Sequence, residues 1–143
     1  MALTTKQLLR TADTLEQALL AIEAHGRQED VWFDLYRNAA IKSFELSLET
    51  AGKLLRKALK GYMGSPREVD KLVFNEVLRT AGKHGLLSEA GVTRWLAYRA
   101  NRNNTAHDYG KGFANETLKI LPDYLKDARR LATKLQAVFD AAA

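Results

Sequence analysis

The stretch that decides the fold runs from Asp30 to Tyr62 and reads DVWFDLYRNAAIKSFELSLETAGKLLRKALKGY. Its apolar residues recur in steps of three and four, which is the spacing of one face of an α-helix. They are Ile41, Phe44, Leu48, Ala51, Leu55, Ala58 and Tyr62. Asp30 is a suitable N-cap, because its side chain can accept from the first free backbone N–H groups. Further leucines widen the stripe, so we expect the longest helix of the chain, packed on more than one side.

The same spacing predicts a helix before this stretch and others after it. The first helix has an apolar stripe from Leu8 to Ile22 and ends at His25-Gly26, where glycine can take the left-handed conformation. Three further helices follow. One carries Val73, Phe74, Val77, Leu78 and Ala81 and stops at His84-Gly85, one begins after Ser88 and holds Trp95, and the last runs from Ala114 to Val138.

Two prolines mark special places in this pattern. Ser65-Pro66 can begin a new turn, with serine as the cap and proline at the first helical position. Pro122 lies inside the last stripe, where it either kinks the helix or starts a new one. We favour a kink, because the stripe keeps its phase across Pro122. No stretch alternates with period two, so we predict an all-α antiparallel bundle of about five helices forming a single domain over residues 1–143.

Composition limits the classes of function. The 22 basic and 17 acidic residues give a net charge of +5, which is a mild bias toward polyanions. There are no cysteines, so disulfides, thiolate metal sites and a cysteine nucleophile are excluded. No signal peptide and no apolar run long enough for a bilayer are visible. We therefore expect a cytoplasmic protein that has no membrane contact.

The stretch with the most chemistry is residues 102–109, RNNTAHDY. His25 and His84 each precede a glycine and are interpreted as helix ends, but His107 has no such explanation. On a straight helix the positions of Arg102 and His107 lie about 140° apart. They can meet one ligand if the chain leaves regular helix at Asn103-Asn104, or if they act across a dimer interface. Otherwise Arg99, Arg102 and His107 are solvated charges that interact with the dipole at a helix C-terminus.

The pattern of arginine, four residues, histidine, one residue and tyrosine resembles that of the HEPN family of small all-helical proteins. The chain is most similar to its nucleotidyltransferase substrate-binding branch, which pairs with a minimal nucleotidyltransferase in toxin–antitoxin modules. Phe44-Glu45 and Trp95 also resemble positions of that branch, and the similarity covers roughly residues 5 to 138. The resemblance implies a homodimer in which two motifs face each other across a cleft.

Metal-independent RNA cleavage suits these residue types. Histidine can transfer protons near neutral pH, and a guanidinium can stabilise the negative charge that develops on a phosphate. The resemblance implies that Arg102 and His107 are catalytic, with Asn103 and Asp108 in support. The sequence offers no His-Glu-x-x-His pattern and no paired carboxylates beside the motif, so we expect neither a metal nor another cofactor.

Two functions stay open at this point. The first is a HEPN toxin that cuts RNA and whose Tyr109 is nucleotidylated by the partner enzyme, which would block the cleft. The second is a non-catalytic subunit that presents a substrate to a separate nucleotidyltransferase. The chain has no glycine-rich phosphate loop, so it is not the transferase itself. A basic group on the second helix (Lys53, Arg56, Lys57 and Lys60) is interpreted as a solvated face rather than an RNA or partner contact.

Overall fold

The computed structural model describes residues 3–26, 28–107 and 111–142, and it describes the backbone alone for 103–107 and 111–113. These residues form helices and connecting turns, with no strand among them. The helices are α1 (Lys6–His25), α2 (Val31–Leu59), α3 (Pro66–Lys71), α4 (Phe74–Lys83), α5 (Glu89–His107) and α6 (Lys111–Ala142). The all-α prediction is therefore confirmed. None of the described helices is long and apolar enough to cross a lipid bilayer.

The bundle is built around α2, which packs against α1, α4 and α6, while α5 packs against α4 and α6. The centre of the core is a group of aromatic rings that meet edge to face. Tyr124 of α6 lies 4.8 Å from Phe44 of α2, 5.4 Å from Trp95 and 5.1 Å from Tyr98 of α5, measured between ring centroids. The hydroxyl of Tyr124 donates to Ser47 Oγ at 2.7 Å. Phe44 and Trp95, which the sequence singled out, are thus core residues.

The first turn of α2 is capped as predicted. Asp30 accepts hydrogen bonds from the backbone N–H groups of Trp32 and Phe33 at 3.1 and 3.0 Å. Its carboxylate also lies 2.8 Å from Nε2 of His25, the last residue of α1. Gly26 follows with a φ of 79°, a conformation that glycine adopts without strain. His25 therefore ends one helix and contacts the cap of the next.

The end of α4 and the start of α5 also follow the predicted pattern. Gly85 has a φ of 76°, and the ring of His84 stacks on Tyr62 with centroids 5.2 Å apart. Ser88 Oγ accepts from the backbone N–H of Gly91 at 2.9 Å, which caps α5. His84 thus has a packing role at the surface.

One expectation about helix length needs correction. The longest described helix is α6 with 32 residues, not α2 with 29, because the helix continues through Pro122 instead of ending there. A short sixth helix, α3, begins at Pro66 after Ser65. It stays separate from α4 because Leu72 and Val73 have extended backbone conformations.

Candidate functional site

Two parallel rows of side chains on α5 organise the candidate site. Arg94, Tyr98 and Asn101 follow each other in steps of four and three, and all three make hydrogen bonds to α6. Arg99 and Arg102 form a neighbouring row that faces a groove between α2, α4 and α5. One side of α5 therefore fixes the helix to α6, and the adjacent side presents two guanidinium groups.

The first row is anchored on one buried carboxylate. Asp127 of α6 is only 6% exposed. Arg94 donates to both of its oxygens, from Nε at 2.8 Å and from Nη2 at 3.0 Å, and the hydroxyl of Tyr98 donates to Oδ2. Arg130 adds a longer contact of 3.4 Å. Because a bidentate guanidinium–carboxylate pair fixes distance and orientation together, this cluster sets the rotation of α5 against α6.

The ionisation of this cluster follows from its surroundings. Burial acts to raise the pKa of Asp127, but the hydrogen bonds from Arg94 and Tyr98 outweigh it, so the pKa lies below its ordinary value. Burial and the neighbouring carboxylate raise the pKa of the Tyr98 hydroxyl. Asp127 is therefore a carboxylate and Tyr98 a neutral donor at neutral pH.

A second link between α5 and α6 lies beside the predicted motif. Thr117, which is fully buried, donates through its hydroxyl to the side-chain oxygen of Asn101 at 2.8 Å. Asn101 directly precedes Arg102 in the sequence. This hydrogen bond extends the row that begins at Arg94 and holds α5 in place up to the residue before the candidate catalytic arginine.

The groove that receives the second row has a volume of about 400 Å³. Its lining residues come from α2 and α5, with Phe74 at the start of α4. Four basic and two acidic side chains line it, so the lining carries a net positive charge. The lining residues are Glu45, Leu48, Glu49, Gly52, Lys53, Arg56, Phe74, Arg99 and Arg102.

Arg102 therefore lies in a groove with a net positive lining. It is half-buried, and among the residues that the structure describes it makes no ion pair. Glu45, which the sequence singled out with Phe44, lines the same groove. The guanidinium of Arg102 is thus available to an anionic ligand.

The basic group on α2 was only partly interpreted correctly. Lys53 forms an exposed ion pair with Glu49 at 3.4 Å, and Lys60 pairs with Asp70 at 3.1 Å. Lys57 is exposed. Arg56, however, is half-buried and donates from Nη1 to the backbone carbonyl of Val69 at 3.0 Å. Arg56 therefore belongs to the groove lining and not to a solvated face.

The backbone between Arg102 and His107 is helical, because α5 ends at His107. The suggested exit from helix at Asn103-Asn104 is therefore wrong. The helical hydrogen-bond pattern continues through both asparagines in spite of their tolerance for other conformations. On this unbroken helix the positions of residues 102 and 107 differ by about 140° around the axis. The interpretation as solvated charges at a helix end stays open, and so does the prediction that Arg102 and His107 act across a dimer interface.

The other predicted site residues lie wholly or partly outside the described part of the chain. The backbone of Asn103 belongs to α5, but its side chain is not described, and the same holds for His107. Asp108 and Tyr109 lie outside the described residues altogether. Within the described residues, no group of three or more His, Asp or Glu side chains is placed to hold a metal ion.

Sequence reasoning assigned no role in the site to three residues of this region: Arg99, Phe74 and Asp127. The spacing of Arg99 and Arg102 was a usable signal, since residues three apart share one helix face. Nothing local indicated that Asp127 would bind Arg94, because 33 residues separate them. The contact between Arg99 and Phe74 likewise joins two helices.

Comparison with known proteins defines the class to which this fold belongs. The chain belongs to the family described as "Nucleotidyltransferase substrate binding protein like", whose family model matches residues 6–137. A Haemophilus influenzae protein named "Probable ribonuclease HepT" is 26% identical over 131 residues, which are 86% of this chain and 85% of that protein.

Two solved structures share the fold. One, from Haemophilus influenzae, is described as revealing the fold of a substrate binding domain of a nucleotidyltransferase. It has a TM-score of 0.79 and 26% identity and covers 90% of this chain and 96% of its own. The other, from Thermus thermophilus, has a TM-score of 0.72 and 23% identity and covers 90% and 98% of the two chains. The bundle architecture is therefore that of the substrate-binding family.

Proposed function

We propose that this protein is a HEPN-type toxin that cuts RNA without a metal ion and is controlled by a partner minimal nucleotidyltransferase. The observation that carries the proposal is Arg102, a guanidinium without an ion pair among the described residues, in a groove with more basic than acidic side chains. Such a group can bind the scissile phosphate and stabilise the charge that develops on its oxygens. The name of the Haemophilus influenzae relative supports the same activity.

His107 is the proposed proton-transfer group. The attacking 2′-hydroxyl must lose a proton, and the leaving 5′-oxygen must gain one, which an imidazole can accomplish near neutral pH. Asn103 and Asp108 are proposed to orient the phosphate or the imidazole. The products are a 2′,3′-cyclic phosphate and a 5′-hydroxyl, because the 2′-oxygen forms the new bond to phosphorus as the bond to the 5′-oxygen breaks, so no water enters the first step.

A homodimer is part of the proposal. On one copy of α5, the positions of Arg102 and His107 lie too far apart around the helix to face one point. The resemblance to the HEPN family supports a twofold dimer whose two motifs face each other across a cleft, so that Arg102 of one chain and His107 of the other act on one ligand.

The second candidate function is a substrate-binding subunit that does not cut RNA. Its support is the description of the family and of the Haemophilus influenzae structure. In this case the basic groove holds an anionic substrate while a separate nucleotidyltransferase modifies it. The cytoplasm is the proposed compartment for either function.

Cleavage by the purified chain separates the two candidates. The protein, freed of any partner, is incubated with RNA in EDTA, and the ends of the products are analysed. We expect cyclic phosphate ends, and we expect Arg102→Ala and His107→Ala each to reduce the rate by roughly 10²–10⁴-fold. The matched control is His84→Ala, which removes a surface histidine stacked on Tyr62. If both variants fold, dimerise and cut RNA at the wild-type rate, the ribonuclease proposal is wrong.

A further inference from the structure

Arg99 has a supporting contact that Arg102 lacks. Its guanidinium carbon lies over the Phe74 ring, 4.9 Å from the ring centroid, in a cation–π contact. No hydrogen bond joins its N–H donors to another described residue, so they can bind oxygen atoms of a ligand. Arg99 makes no ion pair among the residues described. It is therefore a guanidinium held in place with its donors unused.

The Phe74 ring is itself fixed between two helices. On α2, the nearest position is Gly52, and a Cβ placed there would lie 2.5 Å from Cε2 of the ring. The ring edge thus rests directly against the α2 backbone, in space that only glycine leaves open. Since α5 covers the ring with Arg99, Phe74 has little freedom to move. A cation held on such a support loses less conformational entropy when it binds a ligand.

We propose that Arg99 is a substrate-binding residue that holds a phosphate of single-stranded RNA next to the phosphate bound by Arg102. The proposal rests on the proposed function in taking RNA as the ligand. Arg99 and Arg102 are three residues apart on one face of α5, so their Cβ atoms are neighbours at roughly 5–6 Å. Two guanidinium groups at this spacing can bind two consecutive phosphates of one strand.

The size and charge of the groove favour a single strand over a duplex. A volume of about 400 Å³ accommodates one nucleotide and its phosphates, but not a double helix. The α2 wall carries Glu45 and Glu49 beside Lys53 and Arg56, so its formal charges balance. The α5 side carries Arg99 and Arg102 and no acidic lining residue, so the net positive charge forms a strip along α5. A single strand can follow such a strip, since its backbone bends more readily than a duplex.

Binding to an RNA that cannot be cut tests this inference separately from catalysis. The probe is a fluorescent oligonucleotide with a 2′-methoxy group at every position, which removes the attacking hydroxyl. Its Kd is measured by anisotropy over a series of salt concentrations. We expect Arg99→Ala to raise the Kd roughly tenfold, the usual scale for a charge-assisted hydrogen bond. The slope of log Kd against log salt should fall by about 0.7, the value for one lost phosphate contact on a single strand.

Two further variants distinguish the donor geometry from the charge. Arg99→Lys should keep the salt slope but recover little affinity, because a point charge cannot copy the planar fork. Phe74→Leu should weaken binding less than Arg99→Ala, because the cation remains but its support is lost. The matched control is Arg79→Ala, which removes an exposed arginine of α4 outside the groove. Thermal melting of each variant establishes that the bundle is folded.

The outcomes separate this inference from the ribonuclease proposal. On cleavable RNA, Arg99→Ala should raise KM more than it lowers kcat, as expected for a residue that binds substrate and transition state alike. If the wild-type chain cuts no RNA but binds the probe in a way that depends on Arg99, the phosphate site is supported and the ribonuclease proposal is rejected. The inference is overturned if folded Arg99→Ala binds the probe with wild-type affinity and salt slope, or if the wild-type chain does not bind the probe.

Discussion

Asp127 of α6 holds two successive turns of α5, because its buried carboxylate accepts from Arg94 and from Tyr98 four residues later. Arg102 lies one further turn along the same helix. The position of Arg102 therefore depends on a cluster of Arg94, Tyr98 and Asp127, none of which lines the groove. This relationship makes Asp127 a target for testing how stability and site geometry are connected.

We expect Asp127→Asn to lower the free energy of unfolding at neutral pH by about 1–3 kcal/mol, because an amide satisfies Arg94 and Tyr98 poorly. The pKa of Asp127 is lowered in the folded protein. Its stabilisation is thus present above the unfolded carboxyl pKa of about 3.9 and is lost as pH falls through the folded pKa. Urea unfolding at several pH values measures both effects.

The control for this variant is Asp123→Asn, which changes an exposed residue of the same helix. It should alter stability little at any pH. The difference in free energy of unfolding between wild type and Asp127→Asn should become smaller below about pH 4, where the carboxylate becomes protonated. If this difference in free energy stays constant down to the lowest pH at which the protein is folded, the charge of Asp127 does not contribute to the stabilisation.

Gly52→Ala tests the close contact between α2 and the Phe74 ring. The new Cβ would lie 2.5 Å from Cε2 of the ring, so the ring must shift. Overpacking of this kind costs about 1–3 kcal/mol, against a gain of up to about 1 kcal/mol from helix propensity. We expect a net loss of stability in urea unfolding. Gly61→Ala is the comparison, because its nearest atom is the carbonyl oxygen of Ala58 at 3.5 Å. Equal or greater stability of Gly52→Ala would mean that the ring moves freely.

Mixed dimers test whether Arg102 and His107 act across two chains. Arg102→Ala and His107→Ala chains carrying different tags are expressed together, and the mixed dimer is purified through both tags. In a twofold dimer with composite sites, one site keeps both residues and the other loses both, so about half of the wild-type activity should return. If the two residues act within one chain, the mixed dimer should stay inactive, and each homodimer should be inactive in either case.

Tyr109→Phe separates regulation from cleavage. We expect the variant to cut RNA at close to the wild-type rate, since the tyrosine hydroxyl has no part in the proposed proton transfers. With the partner nucleotidyltransferase and a nucleoside triphosphate, the wild-type chain should gain nucleotide mass and lose activity, while the variant should do neither. Tyr62→Phe, which alters an exposed tyrosine elsewhere, should be modified as the wild type is. Modification of Tyr109→Phe at full extent would place the acceptor on another residue.

Most of the helical architecture could be predicted because its signals are local. Asp30 caps α2 through backbone groups two and three residues away, and Gly26 adopts its conformation next to the helix that it ends. The continuation of α6 through Pro122 was favoured for a similar reason, since the apolar stripe kept its phase. The short helix α3 was visible only as a possible turn at Ser65-Pro66.

The candidate site was less predictable, since it depends on contacts between helices. Arg102 was identified from its spacing to His107, but the groove around it is built by α2 and α4. Tyr98 and Asp127 are 29 residues apart in the sequence, and no periodic pattern of residues predicts the hydrogen bond between them. The path of α5 through Asn103-Asn104 was predicted wrongly because the local tolerance of asparagine did not outweigh the continuing helix. The roles of His107 and Tyr109 stay predictions.

The two rows of side chains on α5 fix the number of residues between Tyr98, which binds α6, and Arg102, which lines the groove. Inserting a single residue between Tyr98 and Arg102 would turn Arg102 by about 100° and carry it out of the groove while the link to Asp127 stayed in place. An insertion of seven residues would restore the direction of Arg102 but would move it roughly 10 Å along the helix axis. Both helix rotation and rise therefore set the interval between the α6 anchor and Arg102, and insertions or deletions there should be far less tolerated than substitutions.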